Sequence, residues 1–264
     1  MSFDLKSDTF SLVLSGGGAL GIAHLGVLHD LKRYRVVPGE IVGTSMGGII
    51  GACLAIGMDE AEIFARIREF SRLSNWVRFS LGGNSIIDTE RIAEIFDRVF
   101  GQRRMSDTDI PLKLIATRLS DGAKTVFDAT DDIPIRDGLL ATMAIPGVFK
   151  EHRIDGEVYG DGFLSENLGL NEATCQNLLA VDVLGKNSFE AELPDHFFKT
   201  ANVLEMFEKS LRLMIHNQTR AKLRHIDKNI LLLEPDTSDF RTYQFHKAEE
   251  IRQAGLGVLR RSIG

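Results

Sequence analysis

Apolar residues near the start of the chain fall into short blocks whose spacing changes from strand to helix and back. Phe10 to Ser15 is a mostly apolar run with the length of a buried strand, and the residues after Gly18 repeat apolar side chains at helical spacing. Glu40 to Val42 is typical of a second short strand, and Met46 to Gly57 is typical of an apolar helix. A strand, a glycine turn and a helix therefore occur twice in succession. This alternation predicts βαβ units and a parallel sheet, the pattern of an α/β fold.

The rest of the chain continues these patterns without a composition break between domains. Further strands are predicted at Leu112 to Arg118, Thr125 to Phe127, Glu157 to Tyr159, Leu178 to Leu184 and Ile230 to Leu233. Further helices are predicted from Asp59 to about Leu73, from Asp88 to Gly101, from about Lys199 to Arg220 and from about Lys247 onwards. The segment that holds Trp76, Phe79 and the Gly82-Gly83 pair is a candidate mobile cap. We expect residues 1–8 to be an N-terminal tail and residues 9–264 to form a single domain, because no linker or internal repeat interrupts the pattern.

Composition and charge narrow the class of protein. The 264 residues are 44% hydrophobic and 26% charged, which excludes a disordered or low-complexity chain. Cys53 and Cys175 lack the spacing of a zinc site or a disulfide framework, so we expect no metal and a reducing, cytoplasmic setting. The N-terminus lacks the apolar core of a signal peptide, and no apolar run reaches the roughly 18 residues that span a bilayer. A net charge of −6 argues against nonspecific binding to nucleic acid.

The glycines that follow the first predicted strand match a nucleotide-binding pattern. Gly16, Gly18 and Gly21 match the G-x-G-x-x-G pattern of dinucleotide-binding folds, in which the glycines stand between a strand and a helix. In those folds an acidic residue follows the second strand, whereas here that strand is followed by Gly43-Thr44-Ser45. A nucleotide-binding or regulatory α/β module whose serine is not used therefore stays open as one alternative.

The second turn, Gly43-Thr44-Ser45-Met46-Gly47, has the G-x-S-x-G pattern of a nucleophile elbow. Such a turn holds its serine in a strained backbone conformation, and small residues two positions before and after it let the strand and the helix approach each other. Ser45 is therefore the candidate nucleophile, with Gly43 and Gly47 as the elbow glycines. The alternative is that Ser45 only caps the helix.

Acyl transfer also needs hydrogen-bond donors for the oxyanion that forms at the ester carbonyl. The N–H groups of Gly17 and Gly18 stand at the start of the first predicted helix, where N–H groups lack helical partners and the helix dipole favours negative charge. The N–H groups of Gly17 and Gly18 are therefore candidate oxyanion donors. A tight turn alone would need one glycine rather than three.

The serine also needs a general base, and Asp161 is a candidate for it. Asp161 stands between Gly160 and Gly162 after a predicted strand, a setting that lets a tight loop turn the carboxylate towards a neighbouring turn; an ordinary β-turn is the alternative. Histidines near the C-terminal end, where a hydrolase triad would have one, are each typical of a helix or a surface; they are His196, His216, His225 and His246. Because an aspartate has an ordinary pKa of about 3.9, it can act as a base at neutral pH only if burial raises that pKa.

Together these residues resemble the patatin-like phospholipases. The resemblance runs through Leu14 to Gly21 with Gly26 to Leu28, Gly43 to Gly48, Ala141 to Phe149, and Tyr159 to Gly162 with Asn167-Leu168. It implies a three-layer α/β/α sandwich with a mostly parallel central sheet, a Ser45–Asp161 dyad without histidine, and an oxyanion hole on Gly16, Gly17 and Gly18. It also implies hydrolysis of phospholipid, lysophospholipid or neutral acyl esters without a cofactor. Leu20 stands where the family often has Lys or Arg, and Phe163 where it usually has Gly or Ala.

We therefore interpret the chain as a cytoplasmic serine acyl hydrolase that acts on lipid esters. An acyltransferase or a thioesterase would use the same dyad with a different acyl acceptor, and the sequence does not separate them. It does not indicate an oligomeric state either. From Lys209 to Lys228 there are six basic residues and one acid, Asp227, so this segment is a candidate for peripheral contact with an anionic membrane. The alternative is a solvated helix face that is balanced by acids elsewhere in the fold.

Overall fold

A computed structural model describes residues 3–74, 89–188 and 200–263 of the chain. The strands are β1 (Phe10–Leu14), β2 (Glu40–Thr44), β3 (Leu112–Arg118), β4 (Lys124–Phe127), β5 (His152–Ile154), β6 (Glu157–Asp161), β7 (Asn177–Val181) and β8 (Asn229–Leu233). The helices are α1 (His24–Tyr34), α2 (Met46–Ala55), α3 (Glu60–Ser74), α4 (Thr89–Phe100), α5 (Ile135–Thr142), α6 (Thr200–Leu223), α7 (Ala248–Gly255) and α8 (Val258–Ile263). A short 3-10 helix, Gly18–Ala23, leads into α1.

The eight strands form one mixed sheet in the order β5-β6-β3-β2-β1-β7-β8, with β4 also paired to β3. Strands β8, β7, β1, β2 and β3 lie parallel to one another. Strands β4 and β6 run antiparallel to β3, and β5 runs antiparallel to β6. Strands β1 and β2 are buried at every position, as expected where a parallel sheet is covered on both faces.

Side chains of the parallel strands alternate between two apolar layers. Leu12 and Leu14 of β1 belong to the larger core, which includes residues of all the described helices, among them Ile215 of α6. Val13 belongs to a smaller cluster on the opposite face, against which Leu223 of α6 packs. Helices therefore flank the central sheet on both sides, which confirms the predicted three-layer α/β fold.

The two edges of β3 explain how distant parts of the chain meet. Strand β4 pairs with β3 from Leu114 to Thr117, so it occupies one edge of that strand. Strand β2 pairs with the first part of β3 and ends with Thr44 opposite Ile115. Strand β6 pairs with the last part of β3 and ends with Asp161 opposite Ala116. Because Ile115 and Ala116 also pair with β4, β2 and β6 must share the other edge, where they run towards each other and their carboxyl ends meet.

Some elements differ from the predicted ones, for local reasons. Strand β7 stops at Val181 instead of continuing to Leu184, because the Asp182 carboxylate accepts the Leu184 N–H at 3.0 Å and the chain turns there. Strand β6 extends beyond Tyr159 and includes Asp161 as its last residue. The predicted last helix is divided into α7 and α8 at Gly257, which has a φ of 72°.

Helix α5 was not predicted, since it has only eight residues and follows Pro134. Trp76, Phe79 and the Gly82-Gly83 pair lie outside the described residues, and the cap assigned to them stays a prediction. The division into a tail and one domain also stays a prediction. None of the described helices is long and apolar enough to cross a membrane.

Candidate active site

Ser45 lies at the sharp turn between β2 and α2. Its backbone has a φ of 52° and a ψ of −122°, a conformation that costs free energy for a residue with a side chain. The neighbouring glycines make this turn sterically feasible: a Cβ on Gly43 would lie 2.5 Å from the Gly48 Cα, and one on Gly47 would lie 2.5 Å from the Ser15 oxygen. The local sequence therefore builds the geometry that a nucleophile elbow requires.

A threonine on α5 holds the backbone of the elbow in place. The Ser45 N–H donates a hydrogen bond to the Thr142 hydroxyl at 2.9 Å, and that hydroxyl donates to the Ile115 carbonyl of β3. All three residues are buried, so water does not compete for these bonds. Thr142 thus links the elbow directly to the strand along which β2 and β6 meet.

Asp161 is fully buried at the end of β6, and the abutting strands bring it beside the elbow. One carboxylate oxygen, Oδ1, accepts the Phe163 N–H at 3.0 Å. The other oxygen, Oδ2, has no hydrogen-bond partner among the described atoms. A Cβ on the next residue, Gly162, would lie 2.8 Å from the Thr44 side chain, which shows how closely this loop approaches the end of β2.

Burial sets the acidity of Asp161. Removal from water raises the pKa of its carboxyl group to about 7, and the Phe163 N–H and the Ser45 hydroxyl act in the opposite direction by favouring the charged form. A carboxyl group with a pKa near 7 can accept a proton at neutral pH, which is the condition required by the sequence analysis.

The first glycine cluster lies against Ser45. A Cβ on Gly16 would be 3.2 Å from the Ser45 Cβ, so the two turns are in van der Waals contact. The Gly16 N–H donates to the Asn167 carbonyl at 3.3 Å and is occupied in this structure. Among the described residues, the N–H groups of Gly17 and Gly18 have no hydrogen-bond partner, and they remain the candidate oxyanion donors.

Two side chains that the sequence analysis did not assign support this glycine loop. Asn167 donates from Nδ2 to the Gly16 carbonyl at 3.4 Å, and its buried Oδ1 has no partner. His24 is fully buried and its Nε2 lies 2.9 Å from the Ser15 carbonyl; burial lowers the pKa of this histidine to about 4, so the ring is neutral. Asn167 occurs in a block that carried the family resemblance, whereas no sequence signal pointed to His24.

None of the described histidines proposed as alternative bases is in hydrogen-bond contact with the two candidate catalytic side chains. His216 is half-buried on α6, where burial lowers its pKa and its ring bonds the backbone of Leu184. His225 and His246 are exposed, and His196 lies outside the described residues. The described part of the chain also has no cluster of His, Cys, Asp or Glu that could hold a metal ion.

The two residues that depart from the family pattern, Leu20 and Phe163, both contact the larger core. Leu20, where the family often has a cation, is fully buried in the larger core. Phe163 is half-buried against the same core, and its backbone N–H makes the hydrogen bond to Asp161.

Most of the basic cluster between Lys209 and Lys228 is engaged within the fold. Arg212, Arg220 and Lys222 form ion pairs with Glu208, Glu234 and Glu166, of which Glu208 and Glu166 are buried. The Lys228 ammonium group donates to the Ala173 carbonyl. These contacts favour a structural role for the cluster, and peripheral membrane contact stays a prediction.

The sequence model of the patatin-like phospholipase family matches residues 12–174, which include the elbow, both candidate catalytic residues and the glycine cluster. This match covers more than half of the chain. The chain therefore belongs to the patatin-like phospholipase family, as the resemblance of its motifs implied.

Individual relatives that match this chain include proteins of the NTE type. An uncharacterized NTE family protein of Mycobacterium tuberculosis is 30% identical over 166 residues, which are 62% of this chain and 45% of that protein. The lysophospholipase NTE1 of Saccharomyces cerevisiae is 24% identical over 278 residues, which cover 96% of this chain and 16% of the yeast protein. The chain thus spans less than half the length of these relatives. Among solved structures, VipD from Legionella pneumophila aligns with a TM-score of 0.47 and 13% identity, covering 96% of this chain and 67% of that one.

Proposed function

We propose that this chain hydrolyses carboxylic esters of lipids with Ser45 as the nucleophile and Asp161 as the general base. The observation that carries the proposal is the meeting of β2 and β6 on one edge of β3, which puts the strained serine beside a buried carboxylate whose Oδ2 has no partner. Membership in the patatin-like family and the lysophospholipase relatives support a lipid ester as the substrate.

The first half of the reaction acylates the serine. The Ser45 Oγ bonds to the ester carbonyl carbon while its proton passes to the Asp161 carboxylate. The carbonyl oxygen becomes an oxyanion, which the N–H groups of Gly17 and Gly18 stabilise at the start of the Gly18–Ala23 helix. When the carbon–oxygen bond to the alcohol breaks, the alcohol takes the proton from Asp161 and leaves.

The second half releases the acyl group. Asp161, again charged, accepts a proton from a water molecule as that water attacks the acyl carbon. The ester bond to Ser45 then breaks, and the serine oxygen recovers the proton. An alcohol or a thiol in place of water would make the same chain an acyltransferase, and a thioester in place of the ester would make it a thioesterase.

Burial disfavours the charged form of an aspartate and so raises its pKa. The raised pKa is what would allow the dyad to work without a histidine. With a pKa of about 7, Asp161 is about half charged at neutral pH, so both its proton-accepting and its proton-donating form are available. Its neighbours exclude water, which would otherwise keep it charged and weakly basic.

A panel of ester lipids together with an active-site probe tests the proposal. We expect the purified chain to release fatty acid from lysophospholipid or a related ester, and a fluorophosphonate to attach to Ser45, as identified by peptide mass spectrometry. Added alcohols and thiols will reveal transferase activity as acylated products. Absence of both hydrolysis and labelling would leave the nucleotide-binding or regulatory module as the better interpretation of the glycine cluster.

A further inference from the structure

An ionic cluster with the buried carboxylate of Glu166 at its centre takes no part in the proton transfers. The Glu166 side chain is 1% exposed, and its Oε2 atom lies 2.6 Å from the Lys124 ammonium group and 2.9 Å from that of Lys222. Lys124 also pairs with Glu172. Burial alone would lower the pKa of Lys124, but its bonds to the two carboxylates raise that pKa above its ordinary value, so the ammonium group stays charged.

This cluster fastens one loop of the chain to two elements of the fold. Glu166 belongs to residues 162–167, which follow β6 and which we call the base loop. Lys124 is the first residue of β4, on the edge of β3 opposite β6. Lys222 lies one residue before the end of α6, where Leu223 packs against the smaller apolar cluster on one face of the sheet. The Glu166 carboxylate therefore ties the base loop both to a strand of the sheet and to a helix that covers it.

The base loop contacts each part of the candidate catalytic machinery. Asp161 directly precedes it in the chain. The Glu166 carbonyl accepts a hydrogen bond at 3.3 Å from the hydroxyl of Thr44, the residue before the nucleophile. At the end of the loop, the Asn167 carbonyl accepts the Gly16 N–H, and its side-chain amide donates to the Gly16 carbonyl. A displacement of this loop would therefore move the base, the elbow and the glycine loop relative to one another.

The base loop is also held through its backbone beside Glu166. The Ser165 carbonyl accepts hydrogen bonds from the Lys222 ammonium group and from the Gln218 side chain, each at 3.0 Å. The Ser165 hydroxyl lies 2.8 Å from that of Thr117, which donates to the Asp161 carbonyl at 3.0 Å. Lys222 thus binds this loop at two adjacent residues, and the loop is bonded in turn to the backbone of the candidate base.

We infer that Glu166, held between Lys124 and Lys222, is a positioning residue that keeps the base loop in place during the reaction. This inference rests on the proposed function. Because a buried carboxylate is stable only beside its counter-charges, the loop stays where both ammonium groups reach Glu166. Through the loop, the clamp maintains the distance between Asp161 and Ser45. It also gives Lys222, a member of the basic cluster on α6, a role at the active site.

Removal of charge from the clamp tests this role. Glu166→Gln keeps the size of the side chain and removes its charge, and Lys222→Met removes one of the two ammonium groups. Lys222→Arg is the conservative variant. Glu234→Gln is the matched control, because Glu234 pairs with Arg220 on the same helix and accepts the Lys186 N–H instead of binding the base loop. The measurements are kcat and KM for p-nitrophenyl butyrate well below the lowest Tm, the rate of fluorophosphonate labelling, and Tm itself.

We expect Glu166→Gln and Lys222→Met to lower kcat by about tenfold to 100-fold with little change in KM, because a displacement of about 1 Å at a reacting group can cost about 100-fold in rate. Fluorophosphonate labelling should slow in parallel. Lys222→Arg should restore most of kcat, since a guanidinium group can also pair with the carboxylate. Glu234→Gln should keep kcat within about threefold of the parent protein, even if its Tm falls as far as that of Glu166→Gln.

Two results would overturn the positioning role while the proposed function stands. One is an unchanged kcat in a folded Glu166→Gln variant whose Tm alone is lower, which would make the clamp purely structural. The other is an equal kcat in Lys222→Met and Lys222→Arg, and this pair decides the question if Glu166→Gln does not fold. A parent protein that neither cleaves the ester nor reacts with the fluorophosphonate would instead overturn the proposed function and the inference with it.

Discussion

Asp161 and Asp182 are two buried aspartates with nearly the same immediate surroundings. Each is buried to within 1% exposure, each accepts the N–H of the residue two positions later at 3.0 Å, and each has an Oδ2 without a hydrogen-bond partner. Burial raises the pKa of Asp161 to about 7 and that of Asp182 to about 6. Each also lies close to a serine hydroxyl, that of Ser45 or that of Ser15.

The difference lies in the serines and in the surrounding charges. Ser45 occupies a strained turn at the start of a helix, whereas Ser15 is fully buried and its hydroxyl already accepts the Val183 N–H at 3.0 Å. Asp182 also feels the charges of Glu234 and Arg220, whereas no charged side chain contributes to the pKa shift of Asp161. Burial and a raised pKa therefore do not by themselves indicate a catalytic carboxylate. The serine beside it must also be free to react.

Removal of each serine hydroxyl gives the largest expected contrast. Ser45→Ala should lower ester hydrolysis by about 1000-fold or more, because the acyl intermediate cannot form. Ser15→Ala removes one hydrogen bond of the glycine loop and should lower turnover less than tenfold. Steady-state hydrolysis and fluorophosphonate labelling measure both effects. If Ser15→Ala is folded but as inactive as Ser45→Ala, the conclusion that only Ser45 reacts is wrong.

Neutral replacement of each aspartate gives the next contrast. Asp161→Asn keeps the shape of the side chain but cannot accept the proton, so activity should fall about as far as in Ser45→Ala, and the two losses should not add. Asp182→Asn should keep at least a tenth of the activity. Single replacements of His216, His225 and His246 should each retain most of it. A folded histidine variant without activity would contradict a dyad and leave only the serine hydrolase class.

The pH profile separates the two aspartates more finely. The base must be charged, so kcat/KM should rise with pH through a midpoint near 7 and fall about tenfold for each pH unit below it. Asp182→Asn should leave this midpoint within about half a pH unit. The rate is measured from pH 5 to 9 with a substrate that does not titrate. A larger shift of the midpoint in Asp182→Asn would mean that Asp182, and not Asp161, controls the pH dependence of the rate.

The smallest expected effect concerns stability. Both carboxyl groups bind protons more tightly when folded than when unfolded, so the protein should gain stability as the pH falls from 8 towards 5. Each Asn variant avoids burial of a negative charge and should raise Tm at pH 8 by about 5 °C, with a smaller gain at pH 5. Calorimetry at both pH values measures this. An equal gain at both would show that packing rather than charge is responsible.

The parts of the site that the sequence predicts are those encoded by adjacent residues. The elbow pattern is contained in the five residues around Ser45, although the close approach that requires glycine at position 47 comes from the backbone of Leu14 and Ser15. The candidate base was recognisable from its flanking glycines, although its strand was predicted to end too early. Thr142 and Asn167 were not assigned roles, because their partners, Ser45 and Gly16, lie far away in the sequence.

The same limit explains the basic cluster on α6. Its sequence shows an excess of positive charge, but two of the acids that pair with it, Glu166 and Glu234, come from other segments of the chain. Glu166 follows β6 and is buried, and Glu234 follows β8 and is half-buried in the folded protein. Local charge counts therefore overestimated the free positive surface of this helix.

The shared edge of β3 has a consequence for how this protein tolerates change. Ser45 and Asp161 are separated by 116 positions (161 − 45), but their spacing depends on two consecutive residues, Ile115 and Ala116, whose side chains take no part in the chemistry. Insertions in the intervening connections leave that spacing intact. One residue added to β3 between these two positions would move the strand ends apart by about 3.3 Å and reverse the facing of every later side chain in β3. The loops between Ser45 and Asp161 can therefore change in length during evolution or engineering, whereas the length of β3 cannot.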